Sequence, residues 1–224
     1  MSAESGISTF RDSGGLWEQY RIEDVATPEA WRKNPELVLD FYNQRRRQLF
    51  NSKPNKGHEI LHELEKYMNV RIITQNVDNL HEAAGSSDVL HLHGELLKVR
   101  STGDENLIYE LSAEKPDIRL GDVCEKGFQL RPHIVWFGES VPLISAAVER
   151  VKTADIFLII GTSLNVYPAA GLADYVPESV PVYLIDPNDV PYSRRKNLQI
   201  IKKGASEGME EFRKNLPASL RSVG

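Results

Sequence analysis

The sequence predicts an α/β protein with a doubly wound parallel sheet and a smaller lobe. Strand-like and helix-like stretches alternate along its second half, in the order SAAVERVK, DIFLIIGTS, VPVYLID, LQIIKKG and SEGMEEFRKNL. The run FLII is continuously apolar, as a strand buried on both faces requires. A length of 224 residues with 41% hydrophobic residues is sufficient for one core with a subsidiary lobe.

Composition narrows the class of protein further. The net charge of −5 argues against broad binding to nucleic acids or anionic membranes, and the only dense basic cluster is Arg45, Arg46 and Arg47. No apolar run approaches the ~20 residues of a membrane span, and the polar start MSAESG does not resemble a signal peptide, so we expect a cytoplasmic protein. The single cysteine, Cys124, excludes an intrachain disulfide and a zinc site with several cysteine ligands.

The most informative stretch is VRIITQNVDNLHEAAGSSDVLHLHGELL, residues 70–97. It predicts a strand over 70–74, a polar turn, a short helix and a second strand over 89–92. Ligands bind at the carboxyl ends of strands in open α/β sheets. We therefore expect the chemistry at the residues that follow these two strands, which are Gln75, Asn76, Asp78 and His93.

Several motifs in this chain resemble the sirtuins, the NAD-dependent protein-lysine deacylases. They are SAESGISTFRDSGGLW, TQNVDNLHEAAG, HLHGEL, LRPHIVWFGE and GTSLNVYPAAG. The resemblance implies a Rossmann-like NAD-binding lobe of residues 1–15, 55–97 and 131–224, and a small lobe of residues 16–54 and 98–130. It implies NAD as cofactor and acylated-lysine proteins as partners, and it leaves the oligomeric state open.

The resemblance implies that His93 is the base that activates a ribose hydroxyl. A histidine that titrates near neutrality suits this role. A histidine at a strand end is otherwise more often structural. His91 lies two residues earlier on the same side of the strand and is a weaker candidate.

The resemblance also implies a set of cofactor contacts. Asn76 and Asp78 would form the nicotinamide pocket, and Gln75 would contact the adjacent ribose. The alternative for Asp78 is a cap on the following helix. The remaining implied contacts to NAD are Phe10, Arg11, Gly161, Thr162, Ser163, Asp186 and Ala205.

Three of these cofactor positions have other interpretations. Phe10 could be a core residue with Arg11 on the surface, and Ala205 could belong to an ordinary turn. At Asp186 the family often carries an asparagine, but a carboxylate can still accept hydrogen bonds from ribose hydroxyls.

Tyr42 and Arg45 are three residues apart on a predicted helix that begins near Pro35, so they share a face. A phenol beside a guanidinium can receive a carboxylate, because the fork binds it bidentately and the hydroxyl adds a donor. The pair resembles the one with which class III sirtuins recognise succinyl- or malonyl-lysine. The alternative is a solvated basic helix face.

The motif LRPHIVWFGE resembles the substrate loop of the family. Val135 and Phe137 are candidates for the wall of the acyl-lysine tunnel. Main-chain groups near Gly138 and Glu139 would pair with an extended peptide as an added strand.

The chain departs from the family pattern in two places. The match starts at Ser2, without the strand and Gly-Ala-Gly loop that open the family, which fits either a displaced start or trimmed chain, or a shortened gene product. We expect neighbouring strands to have unpaired backbone groups and the chain to be less stable for it. The zinc-ribbon region, residues 98–129, has lost the family's cysteine pairs, so we expect no zinc.

The pattern HEILH, His58 to His62, also fits the HExxH motif of zinc proteases, with Glu59 as base. On a helical wheel the apolar residues form one face and both histidines lie nearly opposite to it. A zinc protease needs its histidines turned towards a buried cleft, so this interpretation is disfavoured.

The function that we expect from the sequence is NAD-dependent removal of acyl groups from protein lysines, with acidic acyl groups preferred and acetyl groups also accepted. The products would be nicotinamide and O-acyl-ADP-ribose. The alternative is a sirtuin-like binding module that engages peptide or nucleotide without turnover.

Overall fold

The computed structural model of the chain describes residues 1–7, 20–192 and 195–217. Its α-helices are α1 (Ile22–Val25), α2 (Pro28–Lys33), α3 (Pro35–Phe50), α4 (Lys56–Leu64), α5 (Leu80–Ala83), α6 (Ile144–Lys152) and α7 (Ala205–Asn215). Its strands are β1 (Ile72–Thr74), β2 (Val89–His91), β3 (Gly94–Ser101), β4 (Ile108–Glu110), β5 (Leu130–Ile134), β6 (Phe157–Ile160), β7 (Val182–Ile185) and β8 (Leu198–Ile201). Two 3₁₀ helices cover Ser2–Ser5 and Ala169–Tyr175. The predicted cofactor contacts Phe10 and Arg11 lie outside the described residues.

The parallel strands form two sheets. In one, β1 pairs with β2 in the register Ile72–Val89, and in the other β6, β7 and β8 pair in that order. Among the described residues, β1 and β6 have no strand partner on their second edge. Both of these edges line the same cavity. In the described part of the chain, the parallel layer is therefore divided between β1 and β6, and the cavity lies at this division.

Helices cover both faces of this layer, which confirms the predicted α/β class. On one face, α4 and α7 pack their apolar residues on Ile72, Ile185 and Ile201. On the other face, α6 and the second 3₁₀ helix pack on Val182 and Leu184. Neighbouring residues of β7 thus enter opposite clusters, because successive side chains of a strand point to opposite sides.

Helices α1, α2 and α3 pack with the antiparallel sheet β4-β3-β5. Helix α3 begins as its sequence predicts, with Pro35 in the first turn and the Asn34 side chain accepting from the main-chain N–H of Leu37. The interpretation of its arginines as a solvated basic face is wrong. Arg45 and Arg46 are buried and only Arg47 is exposed.

The buried Arg46 holds the helix to the sheet. Its Nε donates to the carbonyl of Leu96 at 2.8 Å, and one terminal nitrogen donates to Asn43 and to the carbonyl of Pro116. Burial lowers the pKa of Arg46 to about 10, which leaves it charged at neutral pH.

Hydrogen bonds connect residues within 98–129, the region that corresponds to the family's zinc ribbon. The Cys124 thiol lies 3.3 Å from the Ser101 hydroxyl, which also accepts from the main-chain N–H groups of Gly103 and Asp104. Lys126 forms an ion pair with Asp104 at 2.7 Å. In the parts of the chain that are described, no group of three or more metal-ligating side chains occurs.

The placement of the HEILH histidines differs from the expectation. His62 is partly exposed, but His58 is fully buried and its ring lies 4.8 Å from that of His81. The Nδ1 of His58 accepts from the main-chain N–H of Asn55 and completes a capping box at the start of α4. His58 therefore caps and packs, and the zinc-protease interpretation has no geometric support.

We expect the two buried histidines to make the fold sensitive to acid. Burial lowers the pKa of both His58 and His81 to about 4, against an ordinary value near 6.5. Between these values the unfolded chain binds protons that the folded chain does not bind. Stability should be full above pH 6.5 and fall by about 2 kcal/mol per histidine on going to pH 5.

Urea unfolding at several pH values measures this loss. His91 has the opposite sign: burial acts to lower its pKa, but the hydrogen bond and charge of Glu82, the Asn76 carbonyl and the charge of Glu95 together outweigh burial and raise it. The H81F variant, which lacks one of the two buried groups, should show a shallower fall. A free energy of unfolding that stays constant from pH 7.5 to 5 would contradict the prediction.

Candidate active site

One cavity brings together the predicted site residues that the structure describes. It lies at the carboxyl ends of β1 and β6, and the loop after β5 and helix α3 form its far wall. The residues of the sequence-based prediction that line it are Tyr42, Arg45, Gln75, Asn76, Asp78, His93, Val135, Phe137, Gly138, Glu139, Gly161, Thr162, Ser163, Asp186 and Ala205. Positions as distant in sequence as 42 and 205 therefore share one cleft.

His93 lies in the tight turn between β2 and β3 and is partly exposed to the cavity. Its Nδ1 is 3.2 Å from the carbonyl oxygen of Gln75. Because a carbonyl can only accept, the proton is on Nδ1 and the lone pair is on Nε2. Burial lowers the pKa of His93, and the Gln75 hydrogen bond partly opposes this shift. The imidazole is thus neutral at pH 7 and able to accept a proton.

The residue after His93 must be glycine. Gly94 has φ 82°, and a Cβ atom there would lie 2.0 Å from the carbonyl oxygen of His133 on β5. This close approach lets the main-chain N–H of Val135 donate to the carbonyl of His93 at 2.9 Å. The main chain at His93 is therefore held against the residues that end and follow β5.

Three polar residues follow β1. The Gln75 side chain donates to Thr162 at 3.4 Å, and Asn76 donates to the Ser2 hydroxyl at 2.7 Å. Asp78 is buried, and its Oδ1 accepts from the main-chain N–H of Leu80 at 3.3 Å. Asp78 thus does cap the start of α5 through its Oδ1 atom. Its second carboxylate oxygen takes no part in this cap.

The end of β6 has features of a nucleotide-binding turn. Gly161 has φ 60°, and a Cβ atom there would lie 2.4 Å from the main-chain nitrogen of Met1. The Ser163 hydroxyl is buried and has no hydrogen-bond partner among the described residues. Asp186, at the end of β7, accepts from the main-chain N–H of Asn188 and is buried. A glycine turn, an unsatisfied buried hydroxyl and a buried carboxylate thus lie together at this end of the cavity.

The start of α7 forms another part of this end of the cavity. The Glu4 carboxylate accepts from the main-chain N–H groups of Ala205 and Ser206. Burial acts to raise the pKa of Glu4, but the hydrogen bonds from Ser206 and Ala205 outweigh it and the pKa is lowered. Ala205 is thus more than an ordinary turn residue, because it connects the first residues of the chain to the last helix.

Tyr42 and Arg45 reach the other end of the cavity from α3. Both are buried, at 3% and 9% exposed. Burial raises the pKa of Tyr42 to about 12, so its hydroxyl keeps its proton at neutral pH. Burial lowers the pKa of Arg45, and the nearby Tyr42 and Asp78 act in the opposite direction. A buried guanidinium and a buried phenol therefore line the same cavity, and both are donors that a carboxylate can accept from.

The loop after β5 presents mixed groups to the cleft. Phe137 is 48% exposed and Val135 is partly buried. The main-chain N–H of Glu139 donates to the carbonyl of Trp136, and its carboxylate accepts from Arg131 at 2.8 and 3.1 Å. The N–H of Glu139 is therefore already used in a turn, so an added peptide strand would pair with other main-chain groups of this loop.

The sequence-based prediction missed Trp136. Its indole Nε1–H donates to the Tyr42 hydroxyl at 3.0 Å, and its ring packs against the Arg131 guanidinium. The available signal was the type of residue, because a buried tryptophan almost always finds an acceptor for its N–H. The position of that acceptor, 94 residues away, was not visible in any local pattern.

The fold and the cleft define an α/β protein in which polar groups at strand ends, the neutral His93 imidazole and the buried Tyr42–Arg45 pair line one cavity. A model of the Sir2 family matches residues 1–168. This chain belongs to the Sir2 family, the sirtuins.

Close relatives carry a common name. The chain is 59% identical over 219 residues to an NAD-dependent protein deacylase of Bacteroides thetaiotaomicron, covering 96% of this chain and 94% of the relative. It is 55% identical over 212 residues to an NAD-dependent protein deacylase of Helicobacter pylori strain J99, covering 95% and 89%. The chain thus spans most of the length of both relatives.

Solved structures agree with the fold. A Sir2 homologue in complex with NAD superposes with a TM-score of 0.84 at 42% identity, covering 94% of this chain and 83% of that one. A mutant Sir2 homologue in complex with ADP-ribose gives a TM-score of 0.87 at 40% identity, covering 98% and 88%. A Sir2 mutant with a deacetylated p53 peptide and 3′-O-acetyl ADP-ribose gives 0.80 at 28%, covering 95% and 88%.

Proposed function

We propose that this chain is an NAD-dependent protein-lysine deacylase that prefers acidic acyl groups, removing succinyl and malonyl groups and also accepting acetyl groups. The observation that supports the proposal is one cleft containing both a neutral histidine with its Nε2 lone pair available and a buried Tyr42–Arg45 pair. The names and bound molecules of the relatives support the reaction class.

In this proposal the residues of the chain divide the work along the cleft. NAD supplies the ADP-ribosyl group that receives the acyl group, and nicotinamide as the leaving group. Asn76 and Asp78 hold the carboxamide end, and Gly161, Thr162 and Ser163 hold the ribose and phosphate end. His93 Nε2 removes a proton from a ribose hydroxyl, while the Gln75 carbonyl keeps its ring in the correct tautomer. The products are the deacylated lysine, nicotinamide and O-acyl-ADP-ribose, and one water molecule is consumed.

The preference for acidic acyl groups is supported by charge and burial. A carboxylate at the end of an acyl chain would meet the Arg45 guanidinium at a buried position, where charged hydrogen bonds are stronger than at the surface. An acetyl group would leave the same pocket unfilled but would not clash with it. Acylated-lysine proteins are the proposed partners, and the net charge of −5 supports no role for nucleic acid.

Two further parts of the proposal concern the environment. We expect the small lobe to hold its fold without zinc, supported by the hydrogen bonds that Ser101 forms with Cys124, Gly103 and Asp104. We expect the protein to work in the cytoplasm, supported by a composition with one cysteine. In the described part of the chain, no helix combines the length and apolar character of a membrane span.

Nicotinamide release from NAD tests the proposed function directly. The substrates are three peptides of identical sequence, with a succinylated, an acetylated or an unmodified lysine. We expect release with both acylated peptides, none with the unmodified one, and a kcat/KM for the succinyl peptide at least about tenfold above that for the acetyl peptide. Equal values for the two acylated peptides would contradict the acyl preference.

The alternative is a module that binds peptide or nucleotide without turnover. It predicts no nicotinamide release with any peptide, together with measurable binding of NAD or of the succinyl peptide by calorimetry. That combination of results would replace the enzyme proposal.

A further inference from the structure

A hydrogen bond in the acyl pocket restricts the direction of the Tyr42 hydroxyl. The indole Nε1–H of Trp136 donates to the Tyr42 oxygen at 3.0 Å, and both side chains are buried, at 2% and 3% exposed. An indole N–H can only donate, so the phenol oxygen is the acceptor. A phenolic hydrogen lies near the ring plane on one of two sides. The indole occupies one side, so the hydrogen must point to the other.

The indole itself is fixed from several directions. The Arg131 guanidinium stacks on it with its Cζ 3.3 Å from the ring centroid. Glu139 accepts from the main-chain N–H of Trp136 at 2.7 Å and binds Arg131 with both carboxylate oxygens. The ring therefore has no room to turn its N–H away from Tyr42.

The side of Tyr42 that remains belongs to the acyl pocket. Tyr42, Arg45 and Trp136 line the same cavity, and Arg45 is close enough to affect the ionisation of Tyr42. A hydroxyl whose acceptor side is already satisfied by a buried donor acts towards a ligand as a donor. A carboxylate accepts such a bond, whereas an acetyl methyl group cannot.

We propose that Trp136 is a positioning residue for acyl selectivity, which turns the Tyr42 hydroxyl so that it donates to the carboxylate of a succinyl or malonyl group beside Arg45. This inference rests on the proposed function. It assigns a role to Trp136, a residue that would not contact the acyl carboxylate itself and would act on it through Tyr42.

The W136F variant tests the inference because it keeps an aromatic ring and removes the donor. We expect KM for the succinyl peptide to rise about fivefold to tenfold with little change in kcat, and kcat/KM for the acetyl peptide to stay within about twofold. The matched control is W31F, which trims a ring whose centroid lies 5.8 Å from that of Trp136 but leaves the Arg131 stack, the Glu139 hydrogen bond and the Tyr42 hydrogen bond of Trp136 in place. It should leave the ratio of the two peptides unchanged.

A double-mutant cycle with Tyr42→Phe separates orientation from packing. If Trp136 acts through the Tyr42 hydroxyl, W136F should cost the succinyl peptide nothing further in the Y42F background. Equal losses for both peptides, or an additive loss in the double variant, would show a structural role and overturn the inference.

The same data distinguish this inference from the proposed function. A wild-type protein without preference for the succinyl peptide removes the acyl proposal, and the role of Trp136 with it. A wild-type preference that W136F retains in full removes only the role of Trp136.

Discussion

Replacing His93 by alanine should lower the rate of deacylated peptide formation by about 10²- to 10⁴-fold, the range typical for loss of a general base. The physical reason is the geometry of the ring, whose Nδ1–H is engaged by the Gln75 carbonyl and whose Nε2 is the free basic atom. His93 is partly exposed, so its truncation should cost little stability. Product formation from the succinyl peptide is the measurement, with thermal unfolding recorded alongside it.

A matched control for this variant is His133→Ala. His133 lies on the neighbouring strand β5, burial also lowers its pKa, and it does not line the cavity. Its replacement should leave product formation within about twofold, as is usual away from a site. Added imidazole should partly restore H93A, because it can occupy the space that the side chain leaves. Full activity of H93A, or equal losses for both histidines, would contradict the assignment of the base.

The wild-type pH profile provides a further check on His93. Because burial lowers its pKa, kcat/KM should rise with pH and reach a plateau, with the midpoint below the ordinary value near 6.5. The residual activity of H93A should not show this rise of kcat/KM with pH.

The second large effect concerns the carboxylate pocket. Arg45→Met should lower kcat/KM for the succinyl peptide by about 10²-fold or more, since the acyl carboxylate would lose a buried charged partner. Tyr42→Phe should lower it by about tenfold through loss of one donor. Both variants should leave the acetyl peptide nearly unaffected, so the ratio of the two kcat/KM values is the quantity to measure.

The adjacent Arg47 offers a control of the same residue type. It is exposed and forms an ion pair with Asp117 on the surface. Arg47→Met should leave the ratio of succinyl to acetyl activity unchanged. A ratio that is also unchanged in the combined Tyr42→Phe and Arg45→Met variant would exclude the pair as the acyl receptor.

Local sequence patterns predicted most of the elements that form this cleft. The strand before Gln75, the strand before His93 and the continuous strand β6 were all placed by apolar runs that end in polar residues. The start of α3 near Pro35 followed from the preference of proline for the first turn of a helix. These features depend on neighbours within a few residues, which is why they are visible in one dimension.

The features that were not predicted depend on contacts between distant segments. His58 is buried because His81, from another helix, covers the polar side of α4. Arg46 is buried because carbonyls of Leu96 and Pro116 surround its charge. A helical wheel shows which residues share a face but not what will pack against it. The hydrogen bond from Trp136 to Tyr42 could not be predicted from the sequence for the same reason.

The division of the parallel layer has a consequence for cooperativity. Among the described residues no ladder of main-chain hydrogen bonds joins β1 to β6, so the two sheets are connected through α4 and α7, which pack on Ile72 of one sheet and on Ile185 and Ile201 of the other. His93 follows the strands of the first sheet, and Gly161 follows β6 of the second. A dinucleotide that touches the ends of both sheets would add a second connection to the one that the shared helices provide. Binding of a dinucleotide in the cleft would then slow amide exchange in strands that the ligand does not contact.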